Sequence, residues 1–538
     1  MVRSRSRCSS SSPLLNPRVS DYGTVIMTDP LGRYPHWFPT FVPKNSNLVS
    51  ALLVFSSCIT STTFGYDGSM LNGLNILPTY SDYFGLTDPK KGPALTGLMT
   101  ASIWIGGILA GISYGWVTDK IGRRPALFWA AVITLIAVVL QSAAQNIGSF
   151  VFARILIGYG TTASGLTGPA YLAETLPLQH RAWGLGLFND FYYVGGLLAA
   201  AITYRTIEYN STWSWRTPSL IQGIFSIICI AILPFVPESP RWLAFNHRKN
   251  EARTVIALTH SNGDTSSSLV LAQYKQIEDT IAFETHAGET LSMKKLVKTP
   301  SSRNRVLLAI SCAVFSTIAG NISASYYLGP MLNNAGITDA TTQLEINVIL
   351  NAFCLVCSIG GTWLVNSWGR KPMALLSTAL LTIFIFMIGL LTKVYGSSKN
   401  HSGIYATVAS IFLFQGTYSL GWTPILYLYP PEVLNYPIRA NGMGIFQVFL
   451  NGTALLFVFI MPIALANIAW RIYLINGSWN ILMIVAIALF WIETKGKTLE
   501  EIDEAIEGVR HNDAPGVKDP MANKGAQVTV QGNPDMLT

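Results

Sequence analysis

Apolar and polar positions divide the chain into twelve long apolar runs separated by short polar loops. The runs fall at about 48–73, 94–117, 125–145, 149–172, 182–204 and 216–237. After a polar stretch they resume at about 304–332, 343–367, 371–393, 403–429, 438–464 and 470–492. A helix needs roughly 20 apolar residues to cross a hydrocarbon core about 30 Å thick. The pattern predicts an all-α membrane protein with twelve transmembrane helices, six on each side of the polar stretch. Residues 1–45 read as a disordered cytoplasmic tail, 46–237 as one six-helix bundle and 238–303 as an intracellular helical linker. Residues 304–492 read as a second six-helix bundle and 493–538 as a cytoplasmic tail. Within the linker, the segments from Asn250 and from Leu269 repeat apolar residues every three to four positions, as short amphipathic helices do.

Composition agrees with this division. Only 12% of the 538 residues are charged, against about 25% in a soluble domain. The net charge of +8 is spread over short loops and does not point to nucleic acid. Lys120, Arg123, Arg124, Arg181, Arg370, Lys371 and Arg439 follow the even-numbered runs, which places those loops and both termini in the cytoplasm. Asn210 and Asn400 head glycosylation sequons in loops that then face outward. The six cysteines form no disulfide framework, and five of them sit in apolar runs as packing residues. Residues 1–44 lack the apolar segment of a cleavable signal peptide. No metal-ligand cluster, phosphate loop or nucleophile–base pair stands out, so no cofactor and no enzymatic activity are expected.

An internal repeat organises the two halves. Gly115-Trp-Val-Thr-Asp119-Lys-Ile-Gly122-Arg123-Arg124-Pro125 recurs as Gly361-Thr-Trp-Leu-Val-Asn366-Ser-Trp-Gly369-Arg370-Lys371-Pro372. Tyr171-Leu-Ala-Glu174 with Arg181 recurs as Tyr429-Pro-Pro-Glu432 with Arg439, and Pro237-Glu238-Ser-Pro-Arg241 is echoed at Glu493-Thr-Lys-Gly496. The offsets are 247 from Asp119 to Asn366, 258 from Glu174 to Glu432 and 255 from Glu238 to Glu493. Two parallel six-helix repeats with a site between them near the midplane is a transporter architecture.

One carboxylate stands out. Asp67, in Gly65-Tyr66-Asp67-Gly68, lies inside the first apolar run, where a charge is costly and marks a functional position by default. Run 1 leads outward and run 4 inward, so Asp67 and Arg154 fall at similar depth. A neighbouring cation favours a carboxylate's charge and desolvation disfavours it. If water access changes between states, such a pair takes up and releases a proton. The other reading is a permanent structural ion pair.

These motifs together resemble the major facilitator superfamily and, within it, the sugar-porter family, over roughly residues 48–505. Gly65-Tyr66-Asp67, Arg154, Pro237-Glu-Ser-Pro-Arg-Trp242 and Glu493-Thr-Lys-Gly496 carry the narrower resemblance. Trp213-Ser-Trp-Arg216 and Gly320-Asn321 with Ser325-Tyr326-Tyr327 are similar to the fungal lactose and cellodextrin permease branch. The resemblance implies alternating access by a monomer in the lipid bilayer, in the plasma membrane, with proton coupling at Asp67 and Arg154. It implies a cytoplasmic gate network of Asp119, Arg123, Arg124, Glu174, Arg181, Glu238 and Arg241, with Arg370, Glu432, Arg439 and Glu493 in the second half. Positive charge that merely sets topology is the plainer reading of the same residues. Sugar contacts are implied at Asn189, Thr317, Asn321, Asn347, Tyr427 and Asn451, although an interhelical hydrogen bond is as good an account of any single one. Pro424, Pro430 and Pro431 are expected to break span 10.

The chain departs from the family pattern at Ser316 and Thr317, where sugar porters carry Gln. It departs again at Asp190, an extra carboxylate, and at Gly196. Three functions remain open on this reading: proton-coupled import of a sugar or polyol, a carrier with a repurposed pocket for a quinate-like acid or secondary metabolite, and a non-transporting sugar sensor.

Overall fold

The computed structural model describes residues 24–25, 41–286, 300–396, 400–434 and 436–495. Most of the two expected tails and the Arg439 side chain lie outside the described residues. Span 1 is the helix Ser46–Ile76, span 2 Gly92–Ile121, span 3 Arg123–Ser142, span 4 Ile147–Thr175 and span 5 Leu178–Thr206. Span 6 covers Trp213–Phe235 in consecutive pieces. The helices Lys249–His260 and Ser268–His286 follow where the amphipathic segments were expected. Span 7 covers 300–335, span 8 is Ala340–Trp368, span 9 Arg370–Tyr395, span 10 His401–Val433, span 11 Tyr436–Ile468 and span 12 Arg471–Phe490. Among the described residues, nine helices are long and apolar enough to count as spans by composition alone. Spans 4, 7 and 10 are not among them, and span 7 is divided into shorter helices.

Span 7 departs from the sequence expectation. A single apolar run becomes three helices, Pro300–Ile318, Asn321–Tyr326 and Leu328–Ala335. Gly320 adopts φ +106°, a left-handed conformation that costs glycine least. Span 10 departs in the opposite direction, since His401–Val433 is one continuous helix through all three prolines. Pro424 has no N–H for the carbonyl of Leu420, four residues earlier. Span 8 covers that carbonyl closely, and a Cβ on Gly361 would lie 2.1 Å from Leu420 O. Neighbouring helices can thus stabilise a proline-bearing span without a break.

Close backbone crossings set the packing within the first half. A Cβ on Gly65 would lie 1.8 Å from Tyr192 O, and one on Gly195 would lie 2.1 Å from Thr62 O, so spans 1 and 5 touch along their backbones. Gly106 and Gly158 do the same for spans 2 and 4. The halves meet where span 1 packs on span 7, span 2 on span 11 and span 5 on span 8.

Candidate functional site

Asp67 and Arg154 are buried together at 1% and 0% exposure, and Arg154 Nη1 donates to Asp67 Oδ1 at 2.5 Å. Gln222 of span 6 donates to the same oxygen at 3.0 Å. Asp67 Oδ2 has no hydrogen-bond partner among the described residues, nor do Arg154 Nε and Nη2. The spare carboxylate oxygen leaves a lone pair for a proton. Gln222 is a neutral donor inside an apolar run, and that isolated polarity is the one signal of its role that the sequence carries.

A cavity of about 150 Å³ lies between the halves. Thr60, Ser61 and Phe64 of span 1, three turns or less before Asp67, line one wall. Asn189, Thr317, Asn321 and Tyr427 also line it, as do Trp104, Tyr192, Tyr326 and Gln447. None of the described lining residues is charged. Tyr192 and Tyr326 connect the cavity to the ion pair, because a Cβ on Gly68, next to Asp67, would lie 3.2 and 3.4 Å from their hydroxyls.

Asn347 and Asn451 lie outside the cavity lining. Asn347 accepts from Asn72 Nδ2 of span 1 at 3.2 Å, which joins the two halves. Asn451 donates to Gln447 O at 2.9 Å, and its carboxamide fills the space left by Gly107 of span 2. Both are interhelical packing contacts of the kind that competes with ligand contact. Thr317 spends its hydroxyl on Ala313 O one turn back.

The charged motifs form two matching clasps. Gly122 and Gly369 take nearly the same backbone angles, φ 99°, ψ 166° and φ 101°, ψ 170°, and each turns the chain into the next helix. The free amides at that helix start then capture a carboxylate, as a helix N-terminus favours negative charge. Glu238 accepts from Arg123 N at 2.9 Å and Arg124 N at 3.3 Å. Glu493 accepts from Arg370 N at 3.0 Å and Lys371 N at 2.9 Å. Arg123 pairs with Glu174 at 2.9 Å and with Asp119 at 3.3 Å, and Arg370 holds Glu432 with two nitrogens at 2.7 and 3.0 Å. Arg124 donates to Leu233 O, while Arg181 lies within reach of the charges of Arg241 and Glu174. Each of these ion pairs joins helices of one half. Asn210 and Asn400 are exposed, and Asn400 caps span 10 through Ser402 N at 3.1 Å.

The clasps differ electrostatically. Burial raises the Glu238 carboxyl above the usual carboxylate range despite its amide donors. Burial also works to raise Glu493, but four backbone amides outweigh it and hold that carboxyl low. A raised folded-state pKa contributes stability at low pH that is lost as pH rises through it. The thermal midpoint of the wild type should therefore gain on that of Glu238→Gln as pH falls from 8 to 5. An unchanged difference across that range would contradict this assignment.

The chain matches the family described as "Sugar (and other) transporter" over residues 53–506. It belongs to the sugar transporter family. Carriers of this kind are secondary transporters rather than enzymes, and the twelve-helix fold is that of the major facilitator superfamily. A high-affinity glucose transporter of Kluyveromyces lactis is 26% identical over 86% of both chains. The MFS-type transporter oryC of Aspergillus oryzae is 29% identical over 83% of this chain and 84% of its own. The arabinose-proton symporter of Bacillus subtilis is 28% identical over 86% of this chain and 97% of its own. Among solved structures, the proton:xylose symporter XylE bound to 6-bromo-6-deoxy-D-glucose superposes with a TM-score of 0.71 at 21% identity, covering 86% of this chain and 99% of that one.

Proposed function

We propose that this family member imports a neutral sugar or polyol with protons, by alternating access across the plasma membrane, with both termini cytoplasmic. The observation that carries the reading is the buried Asp67–Arg154 pair close to a neutral, aromatic-walled cavity, two of whose tyrosines, Tyr192 and Tyr326, also reach Gly68 beside Asp67. Filling the cavity moves those tyrosines against Gly68, and a change at Asp67 moves them in return. Asn189, Asn321, Tyr427 and Gln447 supply amides and a hydroxyl for sugar hydroxyls, while Phe64 and Trp104 face the apolar C–H surfaces. The two clasps keep each half rigid while the halves rock against each other. A quinate-like acid fits less well, since its carboxylate would be buried in a cavity whose described lining offers no cation.

Uptake of labelled glucose, lactose and cellobiose in a transport-deficient yeast tests this reading. Saturable uptake of at least one that falls as external pH rises supports it. Absence of uptake of all three by surface-located protein contradicts it. For the sugar that is carried, Asn321→Ala should raise KM about tenfold, since a hydrogen bond to a buried polar group is worth about 0.5–1.5 kcal/mol and an orphaned partner costs more. A KM within twofold of the wild type would remove Asn321 from the contact set.

A further inference from the structure

Asp190 of span 5 is a carboxylate for which the coupling pair and the clasps have no use. It is 5% exposed and sits one residue beyond Asn189 of the cavity wall. Ser358 Oγ donates to its Oδ1 at 2.6 Å and Thr362 Oγ1 to the same oxygen at 3.1 Å. Both donors belong to span 8, one turn apart on one face, so the three residues bridge the two halves. Among the described residues no Lys, Arg or His forms an ion pair with Asp190, and the other titratable neighbour is Cys58 of span 1. The crossing is tight below this point, since a Cβ on Gly186 would lie 2.6 Å from Thr362 Cγ2. Phe188, Asn189 and Tyr192 of the cavity wall bracket Asp190, while Ser358 and Thr362 lie past the middle of span 8 towards Gly369 of the second clasp, so the bridge stands beside the cavity and reaches towards the clasps. Among the described residues, the Arg123–Glu174, Arg123–Asp119 and Arg370–Glu432 pairs each join helices of one half, whereas the Asp190 bridge joins the two halves.

We propose that Asp190, Ser358 and Thr362 form a latch between the halves that holds the clasp side of the carrier closed. Hydrogen bonds to a charged acceptor are the strong ones, and breaking them while Asp190 stays buried leaves it without donors. Asp190 acts as a positioning residue, setting how long spans 5 and 8 stay together. The inference rests on the alternating-access reading, but its test needs no substrate.

The reporter is a cysteine pair, Gly111→Cys with Gln447→Cys, on spans 2 and 11 of the same side. A Cβ on Gly111 would lie 3.7 Å from Gln447 Cβ, within the range a disulfide spans. Oxidative cross-linking is scored by whether the halves stay joined after cleavage at a protease site inserted between them, with each single cysteine as control. In this background, Ser358→Ala with Thr362→Val, and separately Asp190→Leu, should slow cross-linking at least fivefold while thermal midpoints stay within a few degrees. Asp190→Asn, which keeps an acceptor oxygen for span 8 but not the charge, should fall between the parent and Asp190→Leu. Unchanged cross-linking after loss of both donors, or equal losses in Asp190→Asn and Asp190→Leu, would overturn the latch. Failure of every sugar in the uptake assay would overturn the transport reading and leave this measurement interpretable.

Discussion

Asp67→Asn should give a carrier that exchanges sugar across the membrane but no longer accumulates it. One proton moving down 100 mV supplies about 2.3 kcal/mol, which sustains an accumulation of about fifty-fold. Removing the titratable carboxyl should bring the ratio to about one, with counterflow retained. The isosteric amide still offers an oxygen to Arg154 and to Gln222, which donates to Oδ1 at 3.0 Å in the wild type. Arg154→Leu should behave differently. It strands a carboxylate that is 1% exposed, and breaking a buried pair from one side costs about 3–5 kcal/mol. Folded yield should fall steeply, and Asp67→Asn on top of Arg154→Leu should recover part of it. Yield measured by fluorescence-detected size exclusion, with counterflow on the recovered protein, checks both parts.

Gly158→Leu should prevent assembly of the first half. A Cβ at Gly158 would lie 1.8 Å from Ile103 O, and one at Gly106 would lie 1.9 Å from Ile155 O. Both obstacles are backbone, so no rotamer relieves them and the helices must separate. Overpacking ordinarily costs about 1–3 kcal/mol, and a backbone obstacle puts this site at the top of that range or beyond. Arg154 lies one turn from Gly158, so separation also pulls the cation away from Asp67. Even Gly158→Ala should cut folded yield about tenfold. Gly360→Ala should be near neutral, because nothing lies within 4 Å of a Cβ there. Comparable yields for Gly158→Ala and Gly360→Ala would show that spans 2 and 4 are less closely packed than described.

Much of the architecture was legible because a bilayer imposes a long, uniform signal. The repeat was legible because each clasp needs a glycine at positive φ followed by two amides and a distant glutamate, as at Gly122 with Glu238 and Gly369 with Glu493. The sequence of span 7 predicts one helix because its apolar residues run through Gly320 without a gap, and a glycine alone does not announce its dihedral. The prolines of span 10 predict breaks because the sequence does not show Gly361 lying against the carbonyl that Pro424 leaves free.

The site was less legible than the fold. Reading the direction of each span put Asp67 and Arg154 at one depth, and the structure brings them into contact. Which face a polar residue turns is decided by helix rotation, and a single sequence carries little of that. Asn189 and Asn321 turn to the cavity, whereas Asn347 and Asn451 turn to neighbouring spans. Tyr192 carries no signal that sets it apart from the other aromatics of the apolar runs, and Tyr326 stands out only through the branch motif, although both line the cavity and reach Gly68 beside Asp67.

The central claim is that sugar and proton cross together because the cavity and the Asp67–Arg154 pair are mechanically joined. The most direct measurement uses purified protein in proteoliposomes holding a pH-sensitive dye, with the transported sugar added on one side and no preset gradient. Coupling predicts a proton flux that follows the sugar, saturates at the same concentration as uptake and vanishes in Asp67→Asn while sugar flux persists. Sugar flux in the wild type with no accompanying proton movement would contradict it and make Asp67–Arg154 a permanent structural pair.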